Sequence, residues 1–155
     1  MDHSAPALEH VFTLAAHVAP PIELGEAQGM RRRVVPIIDG TITGPRFEGI
    51  ILPGGADWQR IRPSDGLSRL VATYAIRHAD GTIVQVENRG LRRASPETMA
   101  RLNAGEIVDP ALVYFRSAPV FDAPDGPHAW LNESLFIAAG RRRPDRVEID
   151  VYSLG

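Results

Sequence analysis

The stretch LVATYAIRHADGTIVQVENRG, residues 70–90, constrains this chain more than any other. Two arms rich in Val, Ile, Thr and Tyr flank Asp80-Gly81. An Asp-Gly pair so placed is a strong hairpin signal, because the tight turn needs positive φ angles that these two residues tolerate. Period-two alternation puts Tyr74 on the face of Leu70, Ala72 and Ile76, and Glu87 on the face of Ile83 and Gln85.

The same texture recurs along the chain, with 14 Gly and 13 Pro separating short β-rich runs. Strands are expected over Glu9–Val18, Arg33–Thr43, Arg46–Leu52, Val113–Phe121, Leu131–Ala139 and Arg146–Leu154. One segment, SPETMARLNAG, reads as a helix: Ser95 caps it, Pro96 suits its first position, Glu97 favours the positive end of the dipole and Gly105 ends it. Eight or so antiparallel strands with one short helix close economically into a barrel, which removes exposed edges; a sandwich is the alternative. At 155 residues and 44% hydrophobic content the expectation is an all-β chain with one domain over residues 1–155, frayed over 1–8.

Composition excludes several functions. The net charge is -2, so no global positive field draws in nucleic acid or an anionic membrane. All 17 basic residues are arginine, which excludes Schiff-base chemistry on lysine, and the absence of cysteine removes disulfides and thiolates. The triplets Arg31-Arg32-Arg33 and Arg141-Arg142-Arg143 read as a solvated strand entrance and an exposed hairpin tip. His3, His10, His17, His78 and His128 show no metal-ligand spacing, so no metal is expected. Phosphate loops, dinucleotide fingerprints and nucleophile elbows are missing, and no cofactor is expected. The N-terminus lacks the basic start and apolar run of a secretory signal, which makes a soluble cytoplasmic protein the default expectation.

Three constellations carry chemistry. In ILPGGADWQ (51–59), Gly54-Gly55 permits a bulge or bend that would turn Asp57 and Trp58 out of the ladder towards a barrel mouth; alternatively, Asp57 caps local backbone and Trp58 packs. In YFRSAPVF, Tyr114 and Arg116 share a strand face. If that face is inward, a buried arginine needs an acid such as Asp57 or Glu87, or a ligand's oxyanion. In AWLNESLF, Trp130, Asn132 and Ser134 alternate on one side and offer an apolar wall with donors and an acceptor. Glu87 is either a general base with a pKa raised by burial or a solvent-facing strand residue.

GPRFEGIILPGGADW (44–58), NRG (88–90), SPE (95–97), YFRSAPVFD (114–122) and WLNESLF (130–136) together resemble the DUF3237 family, also called UPF0311. The resemblance runs from about Glu9 to Gly155. It implies a small antiparallel calycin-like β-barrel of a kind found mainly in bacteria and fungi, with no general activity assigned. Asp122 stands where the family commonly has Glu.

Two functional classes follow. In the first, a barrel enzyme without cofactor moves a proton with Asp57 or Glu87, holds developing charge with Arg116 and Asn132, and excludes water with Trp58 and Trp130. In the second, the barrel binds a small, partly apolar aromatic, keto or enoic acid, with Arg116 on its carboxylate and Tyr74 and Tyr114 beside it. A structural barrel whose polar groups satisfy one another is the third possibility. A homo-oligomer is expected in each case.

Overall fold

The computed structural model describes residues 2–155. Ten strands follow in order: β1 (Leu8–Val18), β2 (Ile22–Ala27), β3 (Met30–Thr43), β4 (Gly49–Ile51), β5 (Gly55–Ile61), β6 (Ser68–His78), β7 (Ile83–Arg93), β8 (Tyr114–Asp122), β9 (Leu135–Arg142) and β10 (Arg146–Leu154). One helix, α1 (Pro96–Asn103), lies between β7 and β8. Around the wall β1 pairs with β10, then β9, β8, β7 and β6; β6 pairs with β4 and β5, both pair with β3, and β3 closes on β1. β4 and β5 act as one stave, broken at Leu52-Pro53-Gly54. The wall is therefore a closed, eight-stave antiparallel barrel.

Several expected elements sit where the alternation places them, and the departures have local causes. The β6–β7 hairpin forms, but only Gly81 takes a positive φ, at 95°. Asp80 stays in ordinary space and uses its carboxylate to accept the Thr82 N–H at 2.9 Å, which stabilises the turn without the second positive angle. The expected strand 46–52 shrinks to β4: residues 46–48 run irregularly and bury Phe47 in the core, and at the other end Pro53 has no N–H and Gly54 turns the chain with φ 104°. β2 was not expected; its hairpin to β3 runs through Gln28 and Gly29, both at positive φ (55° and 75°), without the Asn-Gly or Asp-Gly pair that announces such a turn. β9 begins at Leu135, since Ala129–Asn132 coil into a 3-10 turn. Residues 7 and 8 are tied to the wall: Ala7 exchanges backbone hydrogen bonds with Gly155, and Leu8 pairs with Leu154, so the expected fraying does not reach them.

Aromatic packing fills one end of the interior. Phe12 meets Phe47 and Phe121 with centroids 5.6 Å apart, and Phe121 meets Phe136 edge-on at 5.0 Å. Val11, Ile76, Val84, Leu131 and Val151 complete this core, each at most 1% exposed. Burying each such side chain contributes roughly 1.5–3 kcal/mol. Helix α1 is capped by Ser95, whose Oγ accepts the Thr98 N–H at 3.2 Å. It buries Met99 and Leu102 in a separate small cluster with Val108, and Met99 lies against Gly66 of the β5–β6 connection. Among the described residues no helix is long and apolar enough to cross a membrane.

Candidate ligand site inside the barrel

Register alone stacks the interior in layers. Alternation directs Ile37, Tyr74, Val86 and Phe121 inward near the aromatic end. The next layers inward from β3, β5, β6, β7 and β8 are Val35, Asp57, Ala72, Asn88 and Pro119, then Arg33, Gln59, Leu70, Gly90 and Ser117. Beyond these come Ile61, Ser68, Arg92 and Phe115. The interior thus grades from apolar to cationic along its axis.

A cavity occupies the cationic part. It measures about 80 Å³, counted as the space open to the centres of water molecules, so what it can hold is larger. Leu14, Ala16, Ile37, Val147 and Ile149 give it an apolar side; Asp57, Gln59, Tyr74, Asn88, Arg92, Ser117 and Arg142 give it a polar one. Gly90 and Gly140 keep the wall thin. A Cβ on Gly140 would stand 2.7 Å from the Phe115 ring, and one on Gly90 would stand 2.8 Å from the Ser117 Cβ.

The hydrogen bonding of this polar set is incomplete. Arg33, 3% exposed, donates from Nε to the Gln59 carboxamide at 2.6 Å, and Gln59 donates to Asp57 at 2.8 Å. Arg33 Nη2, Arg92 Nε and Nη2, Asp57 Oδ1, Asn88 Oδ1 and Ser117 Oγ are buried and have no protein partner. An unpaired buried polar group costs about 1–3 kcal/mol, and more when it is charged. Five of these six atoms belong to residues lining the cavity, and the sixth, Arg33 Nη2, belongs to the side chain behind Gln59.

Electrostatics follow from the same crowding. Burial lowers the Arg92 pKa to about 10, with the Arg33 and Arg142 charges adding to the effect and Asp57 opposing it. Burial likewise lowers Arg33, helped by the nearby Arg31 and Arg142 charges. Asp57 moves up because burial disfavours its anion more than Gln59, Arg92 and Arg33 stabilise it. Burial, then the Asp57 charge, pushes the Tyr74 phenol up as well. Burial thus works against the charged form of Asp57, the one carboxyl lining the cavity among the described residues, and against the charged forms of Arg33 and Arg92 alike.

The residues singled out from the sequence divide by strand parity. Asp57 and Tyr74 face the cavity. Asp57 lies within β5 and not on a rim; its neighbour Trp58 points outward and is 50% exposed, because adjacent strand residues take opposite faces. Glu87 is exposed on the outer wall and accepts from Arg89 at 3.1 Å. Arg116 is also outward, along with Tyr114, since β8 buries Phe115, Ser117, Pro119 and Phe121 in strict alternation. Its guanidinium donates to the Phe115 carbonyl at 2.9 Å and lies 5.7 Å from the Tyr114 ring. Trp130 and Asn132 sit in the 3-10 turn, so the alternation expected from Trp130 through Ser134 does not exist. Arg46 stacks on Trp130 at 3.7 Å, and Asn132 clamps Ala123 by accepting its N–H and donating to its carbonyl.

Arg33, Gln59, Asn88, Arg92, Ser117 and Arg142 were missed. Two of these were readable: once Val84 and Val86 are inward, period two carries Asn88 and Arg92 inward too. Gln59 and Ser117 sit in strands whose inward face the local pattern does not mark, while the arginine triplets hid Arg33 and Arg142. In the first, Arg31 pairs with Glu23 and Arg32 with the Leu24 carbonyl, whereas Arg33 is buried and not solvated. In the second, Arg141 and Arg143 bind Glu148 outside while Arg142 turns into the cavity.

A second polar cluster lies at the hairpin turn. His128, 6% exposed, bonds Asp80 through Nε2 at 2.7 Å, and the His78 and His128 rings are 4.1 Å apart, both edge-on to Phe47. Against the expectation from spacing, the fold brings His78, Asp80 and His128 together, with one possible ligand atom from each lying within 4.8 Å of the others. Fifty residues separate the two histidines, so no local motif announces them. The contacts with Asp80 also give them a structural role, clasping the 123–132 loop to the β6–β7 turn.

The fold puts the chain among closed antiparallel β-barrels, here with a cationic, incompletely satisfied interior. The chain belongs to the family described as Protein of unknown function (DUF3237), which matches residues 6–154. A UPF0311 protein of Bradyrhizobium diazoefficiens is 44% identical over 146 residues, covering 94% of this chain and 95% of that one. The crystal structure of a conserved protein of unknown function from Rhodopseudomonas palustris superposes with a TM-score of 0.95 at 38% identity, over 99% of this chain and all of the other. The crystal structure of an enzyme from Penicillium herquei has a TM-score of 0.75 over 100% of this chain and 98% of that one. At 19% identity it shares the fold alone.

Proposed function

We propose that the barrel binds a small, partly apolar organic acid, of the aromatic, keto or enoic kind, in its interior. The observation that carries this reading is Arg92. It lines the cavity at 5% exposure with two unpartnered N–H groups, and Asp57, the one acid lining the cavity among the described residues, makes no ion pair with it and has its pKa raised by burial. An incoming carboxylate would accept those N–H groups and neutralise the charge, while the ligand's body would lie along Leu14, Ala16, Ile37 and Ile149. Binding energy would come from relieving a buried, unpaired cation. Arg92 thereby takes the role first given to Arg116.

Isothermal titration calorimetry with benzoate, crotonate and pyruvate tests this. Wild type is expected to bind at least one of them, and Arg92→Gln to bind it at least about tenfold more weakly, the cost of losing one charge-assisted bond. Equal binding by the two proteins overturns the reading.

A second reading, cofactor-independent proton transfer in a lyase, isomerase or hydratase, is favoured by Asp57. A buried carboxyl with a raised pKa, held by Gln59 beside guanidiniums, is suited to give and take a proton near a bound anion, a contribution typically worth about 10²–10⁴-fold in rate. Tyr74 lines the same cavity, and its raised pKa keeps the phenol neutral as a donor. Turnover of a bound keto or enoic acid by wild type, lost in Asp57→Asn with binding retained, is the expected signature.

A further inference from the structure

We infer that the ligand of this cavity carries two acidic groups, a dianion such as a dicarboxylate, and not one. The inference rests on the reading that the interior takes an organic acid and narrows the class of that acid.

Charge counting drives it. Arg92 and Arg142 line the cavity, and Arg33 stands directly behind Gln59. Arg33 feels the Arg142 charge, and Arg92 feels the charges of both others, so the three form one electrostatic group. They come from β3, β7 and β9, three separate parts of the wall, so no local feature of one strand explains their convergence. Among the described residues none of the three makes an ion pair: their chain neighbours Arg31, Arg141 and Arg143 take Glu23, Asp150 and Glu148 on the outside. Asp57 is the only carboxyl lining the cavity among the described residues; its hydrogen bond goes to the Gln59 amide, and its charge acts on Arg33 and Arg92 without an ion pair to either.

A monoanion entering this site balances one of three positive charges and leaves the others repelling each other in a medium that screens poorly. A second acidic group on the same molecule meets a second guanidinium. It adds a charge-assisted hydrogen bond and removes a like-charge repulsion. Arg92 with its unpartnered N–H groups meets the first group, and Arg142, at the end of β9, meets the second. The apolar side of the cavity calls for a carbon skeleton between the two acids, which separates this class from inorganic anions.

Matched pairs differing by one carboxylate test the idea: phthalate against benzoate, and maleate against crotonate, by calorimetry at low ionic strength. At least one diacid is expected to bind about tenfold or more tightly than its monoacid. Arg142→Gln is expected to shrink that preference to within about threefold while leaving monoacid binding in place. Far-ultraviolet circular dichroism and Tm confirm the fold of the variant, and Arg142→Met serves as a second replacement. If the monoacids bind as tightly as the diacids, the two-charge inference is wrong, and the organic-acid reading survives provided Arg92→Gln still weakens them. The same inference fails if Arg142→Gln abolishes monoacid binding. Should none of the four acids bind, the organic-acid reading falls with it.

Discussion

Arg33 meets the Gln59 carboxamide inside the barrel at 2.6 Å and meets no carboxylate. The amide then donates to Asp57, so a neutral spacer separates a buried cation from the acid that would neutralise it. A fold selected only for its own stability would place Asp57 directly on a guanidinium, because a buried charge is tolerable when paired and costly when not. This spacing decides what the interior variants do.

Replacing Arg92 by Met removes the buried cation and keeps an apolar stem in its place. The ligand-free variant is expected to be more stable than wild type by about 1–4 kcal/mol, as when other buried charges give way to apolar side chains, while losing affinity for organic acids. Urea denaturation of both proteins without ligand checks it. A loss of stability would mean that the fold itself satisfies Arg92.

Asp57 gives a pH signature. Its folded pKa lies above the unfolded value, so the folded state holds the proton more tightly, and stability falls as pH rises from the ordinary carboxylate range through the folded pKa. Asp57→Asn keeps a neutral side chain throughout. Its Tm is expected to exceed that of wild type by a few degrees near pH 7 and to match it near pH 3. Parallel Tm curves across this range would contradict the raised pKa.

The outward residues provide the control. Glu87→Gln and Arg116→Gln are expected to change stability by no more than about 0.5 kcal/mol and to leave organic-acid binding untouched, since both side chains stand on the solvent face. Calorimetry and urea denaturation on these two variants check it.

Gly140→Ala tests the thinness of the cavity wall. The new methyl would press on the Phe115 ring at 2.7–2.8 Å, so either Phe115 moves into the cavity or the strands part. A loss of about 1–3 kcal/mol is expected, with weaker ligand binding because the displaced ring takes the ligand's space.

The hairpin clasp is expected to matter more for acid stability than for binding. His128→Ala removes the side chain that ties the 123–132 loop to Asp80 and is expected to cost about 1–2 kcal/mol. Asp80 has a lowered folded pKa, first through the Thr82 N–H and then through His128, so its contribution is present above the unfolded carboxylate pKa and fades as pH falls below it. Denaturation of wild type and Asp80→Asn as a function of pH should converge in acid.

Strand parity explains how much of this could be read from the residues. Asp80-Gly81 announced its hairpin, Ser95-Pro96 announced the helix, and Tyr74 was assigned to its proper face from Leu70 and Ile76 alone. The face of β8 was harder. In YFRSAPVF both alternating sets contain aromatic or apolar residues, so nothing local says that Phe115 and not Arg116 goes inward. β5 was obscured by its interruption from β4, and the short run ADWQRI has too many polar residues to resemble a strand that lines an interior. Arg33 and Arg142 each sit in a triplet where two of three arginines are solvated. Only the register with neighbouring strands distinguishes the third.

The opposite facing of Asp57 and Trp58 also has an optical consequence. Trp58 looks out into solvent, and Trp130 lies beneath Arg46 away from the cavity, so neither indole views the chamber where a ligand would rest. Tyr74 and Phe115 do. Indole emission from this barrel comes from outside that chamber, and a molecule entering the interior would announce itself through tyrosine light instead.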